Sequence, residues 1–267
     1  MKPKHAILVA LSAVLLASCA KKPVGIVGQE VTYSGGGVQM QGFLAYNGDV
    51  EGKRPGILLV HEWWGQNEYV RRRARMLADL GYVALAVDMF GGGKVADTPT
   101  EATSFSSEAI RSLDTARERF DAAYRLLRDQ PECDSTKIAA IGYCFGGYVV
   151  LEMARLGDPL AGVVSFHGSL PPEFPAPAGQ VKSKFLICNG AADPFNPPAR
   201  VEAFKKALDS LGINYTFIDY PGAMHAFTNP DADSLGHLFH LPIAYNGAAD
   251  SGSWAAMQDF FKKVIPQ

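Results

Sequence analysis

The chain has 267 residues, of which 25 are Lys or Arg and 27 are Asp or Glu, so that the formal net charge is −2 at pH 7. Hydrophobic residues make up 48% of the chain, which is compatible with one large folded domain. The charge balance excludes a nucleic-acid-binding protein of the basic type. The basic run at residues 71–75 falls on a predicted helix and is interpreted as a solvated face.

The first residues of the chain are typical of a secretory leader. Lys2 and Lys4 precede the apolar stretch Ala6–Ala17, which is too short to cross a bilayer. The stretch leads to Leu16-Ala17-Ser18-Cys19, which resembles the lipobox of a bacterial lipoprotein signal. An ordinary leader with a chance cysteine is the alternative.

These features predict three regions along the chain. Residues 1–18 are the lipoprotein signal peptide, residues 19–28 are a linker after the lipidated Cys19, and residues 29–267 are a single domain. Ala20, rather than aspartate, follows Cys19, which resembles the sorting signal for the outer membrane. The protein is therefore expected to be anchored by lipid in the bacterial cell envelope, at the outer membrane and facing the periplasm.

The remaining elements alternate between strands and helices. An antiparallel hairpin is predicted first, with Val31–Tyr33 and Met40–Tyr46 around a glycine-rich turn. Further strands are predicted at 56–61, 82–87, 137–141, 161–166, 184–188 and 214–218, and helices at 67–80, 106–129, from 146, 198–211 and 253–264. This alternation indicates an α/β fold, with a mostly parallel twisted sheet and helices on both faces. Residues 228–252 exceed an ordinary connection and are predicted to cover the site like a lid.

A cysteine lies at the sharpest turn of this pattern. The apolar run 138–141 leads directly into Gly142-Tyr143-Cys144-Phe145-Gly146-Gly147, and an apolar helix follows. Glycines allow the adjoining backbones to approach closely at such a turn, and the following helix N-terminus can stabilise an oxyanion. The segment therefore predicts a nucleophile elbow with Cys144 at its tip. A small buried core thiol is the alternative interpretation.

An acid and a base follow in the order that this turn requires. Asp193 comes just after the predicted strand 184–188, and His225 follows the strand 214–218 in a loop with proline and glycine. The carboxyl ends of parallel strands meet at one edge of a sheet. We therefore expect Cys144, Asp193 and His225 to converge there.

Four segments together resemble the dienelactone hydrolase family of the α/β-hydrolase fold. They are the elbow at 142–147, Ala191-Ala192-Asp193-Pro194, Met224-His225-Ala226-Phe227, and His61-Glu62-Trp63-Trp64-Gly65 after an early strand. The resemblance covers most of the chain after the leader. It implies an eight-stranded type of sheet with helices on both faces, a Cys-His-Asp triad and hydrolysis of esters or lactones. No cofactor is predicted.

The resemblance also implies a role for each residue around the thiol. Cys144 would attack as thiolate, His225 would accept and return the proton, and Asp193 would orient the imidazole. The backbone N–H groups of Phe145 and Trp63 would form the oxyanion hole. Glu62 resembles the gating glutamate of the family, which bonds to the neutral thiol at rest and is displaced by substrate.

The predicted pocket departs from the family at two positions. The family binds a substrate carboxylate with a pair of arginines, and the matching positions here are Gly92 and Asn229. Neither residue can form a bidentate contact with a carboxylate, and Lys94 would replace it only partly. A neutral or different acyl substrate is therefore expected. The predicted pocket residues are Trp64, Phe90, Lys94 and Phe227.

The other cysteines and histidines are interpreted more simply. Cys133 and Cys188 are predicted at opposite ends of their strands, too far apart for a disulfide. His237 and His240 have metal-like spacing but lack further ligands, and no metal is predicted. His61 and His167 follow apolar runs and fit the core as well as the pocket.

Two classes of function remain for the domain. The first is a lipid-anchored thiol hydrolase of small esters or lactones. The second is a catalytically silent lipoprotein that retains the fold and holds a ligand in a tryptophan-lined pocket, because fold alone does not determine function. A redox-sensing thiol would require Cys144 to lack a base, and His225 argues against it. The sequence identifies no protein partner.

Overall fold

The computed structural model describes residues 24–171, 173–177 and 179–267. The predicted signal peptide and Cys19 lie outside the described residues. The strands are β1 (Ile26–Gly35), β2 (Val38–Asn47), β3 (Arg54–Val60), β4 (Val83–Val87), β5 (Cys133–Tyr143), β6 (Gly162–Phe166), β7 (Lys184–Gly190) and β8 (Tyr215–Tyr220). The helices are α1 (Glu68–Asp79), α2 (Pro99–Ile110), α3 (Leu113–Arg128), α4 (Phe145–Arg155), α5 (Pro198–Ser210), α6 (Ala232–Phe239) and α7 (Gly247–Val264).

The strands of the described residues form one eight-stranded sheet in the order β1-β2-β4-β3-β5-β6-β7-β8. The pairs β1/β2 and β2/β4 are antiparallel, and all other neighbours are parallel. The predicted fold class, a mostly parallel sheet that begins with an antiparallel hairpin, is confirmed. Strand β1 starts at Ile26, inside the segment that was predicted as a linker up to residue 28.

The sheet is covered on both faces because its central strands place apolar side chains on both sides. In β3, Leu58 and Val60 belong to a core shared with α3, α4 and α5, whereas Ile57 and Leu59 belong to a second core shared with α1 and α7. Successive side chains of a strand point to opposite faces, so one apolar run supplies both cores.

The predicted helix over 106–129 is two helices in the structure. Helix α2 starts earlier, at Pro99, because the Thr98 side chain accepts a hydrogen bond from the N–H of Glu101. Helix α3 starts anew after Ser112, whose Oγ accepts from the N–H of Thr115 at 3.3 Å. Serine and threonine are preferred N-caps, and these two caps set the break that hydropathy alone does not reveal.

The remaining boundaries differ less. Helix α7 starts at Gly247 rather than at residue 253, because Asn246 caps it through the N–H of Ala249. Helix α6 lies within the segment 228–252 that was predicted to cover the site. Among the described helices, none combines the length and apolar character that a bilayer span requires.

Candidate active site

Cys144 occupies the turn between β5 and α4. Its backbone has φ 52° and ψ −114°, a conformation that L-residues rarely adopt and that is retained where the surroundings enforce it. A Cβ on Gly142 would lie 2.0 Å from the carbonyl oxygen of Gly146, and one on Gly146 would lie 2.3 Å from that of Val60. The glycines of the motif are therefore required because backbones touch at the turn.

Cys144, His225 and Asp193 form a hydrogen-bonded chain. The Cys144 Sγ lies 3.0 Å from His225 Nε2, and His225 Nδ1 lies 2.8 Å from Asp193 Oδ2. A carboxylate only accepts hydrogen bonds, so the Nδ1 proton points to Asp193 and Nε2 faces the thiol. His225 and Asp193 are buried, whereas Cys144 is only half-buried. The three residues thus meet at the carboxyl ends of β5, β7 and β8, in the arrangement for proton transfer from the thiol.

The surroundings of His225 favour its protonated form. Burial by itself lowers the pKa of His225, but the charge of the Cys144 thiolate and the hydrogen bond to Asp193 outweigh it and raise the pKa well above its ordinary value. An imidazole of this kind holds the proton that it takes from a thiol. His225 is therefore suited to accept a proton at Nε2 and to hold it during the reaction.

The predicted oxyanion donors lie beside the thiol. Phe145 is the first residue of α4, so its N–H has no acceptor within the helix. In the described part of the chain, no group accepts a hydrogen bond from the Trp63 N–H. Trp63 and Phe145 both line a cavity together with Cys144. The N–H of Phe145, at the positive end of α4, and the N–H of Trp63, on the loop after β3, are suited to stabilise a developing oxyanion.

Glu62 does not make the contact that was expected of it. Its Oε2 accepts a hydrogen bond of 2.7 Å from Asn229 Nδ2, and the hydrogen-bond partner of the Cys144 thiol is His225 instead. Burial raises the pKa of Glu62 to about 7, although the Asn229 bond and the charges of His225 and Arg73 lower it. The expected resting contact between Glu62 and the thiol is thus absent here, because Asn229 binds the carboxylate.

A cavity of about 350 Å³ opens at the triad. Its lining residues are Glu62, Trp63, Trp64, Cys144, Ser169, Phe195, His225, Ala226, Leu241, Pro242 and Ile243. The walls are largely apolar, and Glu62 is the only carboxylate among the described residues that line it. The segment after α6 supplies one wall, because Ile243 forms a β-bridge with His225.

The structure does not bring every predicted pocket residue to this cavity. Trp64 lines it, but Phe90 is buried between His61 and Phe145, and Phe227 is fully buried against His167. Lys94 extends over the Phe105 ring at 5.3 Å. These three residues are near the site in sequence. Phe90 and Phe227 pack into the cores, whereas the Lys94 ammonium group lies over the Phe105 ring.

Several residues that line the cavity were not predicted from the sequence. Phe195 is 43% exposed and its ring meets the His225 ring edge-on at 4.9 Å. Leu241, Pro242 and Ile243 belong to the long segment that was predicted as a cover, and an apolar run there was the available signal. For Phe195, the sequence offered no signal beyond its position two residues after Asp193.

The positions of the family arginines carry no cation. Gly92 has φ 67° and is exposed, with no atom within 4 Å of a would-be Cβ, and Asn229 is engaged with Glu62.

His240 ends α6 in the left-handed region, and His167 bonds through Nε2 to the Thr228 hydroxyl at 2.7 Å. The described residues hold no group of three or more His, Cys, Asp or Glu arranged for a metal ion. Cys133 and Cys188 are both free and buried.

Comparison with known proteins agrees with the fold. The family description "Dienelactone hydrolase family" matches residues 40–265. A putative carboxymethylenebutenolidase of Methylorubrum extorquens is 28% identical over 222 residues, which cover 79% of this chain and 73% of that protein. The crystal structure of a dienelactone hydrolase-like promiscuous phosphotriesterase from metagenomic libraries superposes with a TM-score of 0.84 and 35% identity, over 90% of this chain and 99% of that one.

A second structure, a putative dienelactone hydrolase of Klebsiella pneumoniae, is 23% identical, covers 90% of this chain and 99% of that chain, and has a TM-score of 0.76, which shows the shared fold. The fold is that of the α/β-hydrolases, and the chain is a hydrolase. More specifically, it belongs to the dienelactone hydrolase family.

Proposed function

We propose that the protein hydrolyses carboxylic esters or lactones with Cys144 as the nucleophile. The observation that carries the proposal is the continuous chain from Cys144 Sγ through His225 to Asp193, with distances of 3.0 and 2.8 Å, at an open cavity. A nucleophile, a base and a group that orients the base are the parts that acyl transfer requires.

The first half of the reaction transfers the acyl group to sulfur. His225 takes the thiol proton, the thiolate forms a bond to the carbonyl carbon, and the carbonyl oxygen becomes negative between the N–H groups of Phe145 and Trp63. When the tetrahedral intermediate collapses, the carbon–oxygen bond breaks and His225 returns the proton to the leaving alcohol. The product on the enzyme is an acyl thioester.

The second half releases the acid. A water molecule gives a proton to His225, its oxygen bonds to the thioester carbon, and the carbon–sulfur bond breaks. The thiolate then recovers its proton from the imidazolium. Asp193 holds Nδ1 throughout, so that Nε2 alone exchanges protons with the reacting atoms.

The lining of the site supports an uncharged substrate. A substrate carboxylate would meet neither arginine nor lysine among the described lining residues, and it would lie near Glu62. Removing such a group from water without a cationic partner costs several kcal/mol. We therefore propose a neutral ester or lactone and not a substrate whose carboxylate must be clamped.

The relative with phosphotriesterase activity suggests a second candidate substrate. Its 35% identity spans 90% of this chain, and phosphotriesters are likewise uncharged. The same largely apolar cavity would accept them, with Cys144 attacking phosphorus in place of carbon. A panel that includes a neutral aryl dialkyl phosphate distinguishes the two substrate classes.

We also propose that the enzyme works at the cell envelope. The support is the sequence of residues 1–19, where a positive start, a short apolar stretch and Leu16-Ala17-Ser18-Cys19 follow one another. Cleavage before Cys19 and its acylation would anchor the hydrolase to the membrane, and Ala20 favours the outer membrane facing the periplasm.

Turnover of chromogenic esters by the purified chain tests the proposal. We expect hydrolysis of neutral aryl esters by the wild type, and loss of it in both Cys144→Ala and His225→Ala, since each removes a member of the hydrogen-bonded chain. Cys188→Ala removes another thiol of the described residues and serves as the matched control, with activity retained. Turnover that survives both triad substitutions, or no turnover of any ester, would favour the catalytically silent ligand-binding protein instead.

A further inference from the structure

A second cavity meets the first at the nucleophile. It has a volume of about 290 Å³ and is lined by Trp63, Ser106, Ile110, Cys144, Phe145, Tyr148 and Ser169. The two cavities share Trp63, Cys144 and Ser169. Beyond these, the first leads toward Phe195 and residues 241–243, whereas the second leads toward α2 and the first turn of α4. Cys144 thus stands at the junction of two separate spaces.

His225 distinguishes the two spaces. It lines the first cavity and is absent from the lining of the second. An ester has two substituents on its reacting carbon, the acyl chain and the alkoxy group. The leaving oxygen must come within hydrogen-bond reach of His225 Nε2, about 2.6–3.2 Å, to receive its proton. The alcohol portion that this oxygen carries therefore extends into the cavity that contains His225.

Deacylation leads to the same assignment. After the alcohol departs, water must reach both the thioester carbon and His225. An acyl group in the first cavity would occupy this position, whereas an acyl group in the second cavity leaves it free. The cavity vacated by the alcohol is then the one through which the attacking water enters.

We infer that the second cavity, lined by Ser106, Ile110 and Tyr148 together with Trp63 and Phe145, is the acyl subsite, and that the first cavity binds the alcohol. This inference rests on the proposed function. The described lining of the second cavity carries no charged residue, and its volume is just below the roughly 300–1,000 Å³ typical of ligand cavities. It therefore selects a compact, mainly apolar acyl group, either short and branched or aromatic.

Two series of esters test the assignment with the purified full chain. In the first series, aryl acetate, butyrate, hexanoate and benzoate share one alcohol. In the second, acetate is held constant and the alcohol varies from ethyl to phenyl to benzyl. The value of kcat/KM is measured for each ester and expressed relative to the smallest member of its series.

A matched pair of variants removes the same atoms from the two cavities. Ile110→Ala widens the second cavity, and we expect it to raise the hexanoate-to-acetate ratio by about tenfold, the size of effect that a few methylene groups have in an apolar pocket. Ile243→Ala widens the first cavity and is expected to change the ratios of the alcohol series. Ser106→Leu narrows the second cavity on the half-buried face of α2, and we expect it to lower the same acyl ratio.

The outcomes separate the two claims. The assignment is supported if Ile110→Ala and Ser106→Leu shift the acyl ratio in opposite directions and leave the alcohol ratios unchanged. The assignment is overturned if Ile243→Ala changes the acyl ratios, or if Ile110→Ala or Ser106→Leu changes the alcohol ratios. Either result leaves the proposed esterase activity standing. A wild type that hydrolyses no ester overturns the proposed function, and the subsite assignment with it.

Discussion

The carboxyl of Glu62 makes the stability of the protein depend on pH in a direction that the structure specifies. Burial raises the pKa of Glu62 to about 7 in the folded protein, against an ordinary value of 4.5. The folded state therefore binds more protons than the unfolded chain between these values. Since stability falls with rising pH wherever the folded state binds more protons, Glu62 destabilises the fold progressively from about pH 4.5 to about pH 7.

The size of the effect follows from the two pKa values. Each unit of pKa difference corresponds to about 1.4 kcal/mol, so the charged Glu62 costs about 3 kcal/mol at pH 8 and under about 1 kcal/mol at pH 5. Glu62→Gln removes this cost and keeps an oxygen that can accept the hydrogen bond of Asn229. We expect the free energy of unfolding of the variant, relative to wild type, to rise by about 2 kcal/mol between pH 5 and pH 8.

Urea unfolding followed by tryptophan fluorescence at both pH values measures this difference. The informative quantity is how the difference in free energy of unfolding between Glu62→Gln and wild type changes from pH 5 to pH 8. Any cost of placing an amide at this position that does not depend on pH cancels in this comparison. Glu202→Gln, at a side chain that is 74% exposed and lies 3.5 Å from Lys205 Nζ, reports the loss of a carboxylate at the protein surface. A difference between Glu62→Gln and wild type that stays constant from pH 5 to pH 8, or that shrinks, would refute the reasoning.

Four further substitutions have defined outcomes. Cys144→Ser lowers kcat by about 100-fold or more, because the base that suits a thiol ionises an alcohol poorly, and ester turnover measures it. Asp193→Asn lowers kcat by about 10²- to 10⁴-fold through the wrong imidazole tautomer, and wild-type turnover would contradict this role. Gly146→Ala destabilises by about 3 kcal/mol or prevents folding, since its Cβ would meet the Val60 carbonyl at 2.3 Å, and urea unfolding tests it. Cys19→Ala abolishes incorporation of labelled fatty acid in a bacterial host, and labelling that persists would disprove lipidation at this residue.

The triad could be predicted because its determinants are local. Cys144 lies in a turn that only a glycine-rich sequence can form, and Asp193 and His225 each follow an apolar strand directly. Parallel strands bring their carboxyl ends to one edge without further information. The same local pattern, together with the alternation of strands and helices, was enough for the fold class.

The break between α2 and α3 and the composition of the cavity depend on less local factors. Ser112 ends an otherwise continuous helical pattern through one side-chain hydrogen bond. Phe227 follows His225 by two residues, yet it points into the core because its loop turns at Ala226, which has φ 58°. Hydropathy does not report such a turn.

The contact of Glu62 with Asn229 is also beyond local reasoning. The two residues are 167 positions apart, and their bond depends on how the segment after β8 folds back over the strand ends. A motif identifies which residue types are present, but it does not show whether the buried Glu62 carboxyl binds Asn229 or the Cys144 thiol. Here the choice leaves the Cys144 thiol bonded to His225.

Trapping the intermediate shows whether Cys144 carries the acyl group during turnover. The purified chain is mixed with an activated aryl ester, quenched in acid within the first turnover and examined by mass spectrometry before and after proteolysis. We expect a mass increase equal to the acyl group on the peptide that contains Cys144, and none in Cys144→Ala. Ester turnover with the acyl group on another residue, or an adduct that persists in Cys144→Ala, would contradict this role of Cys144.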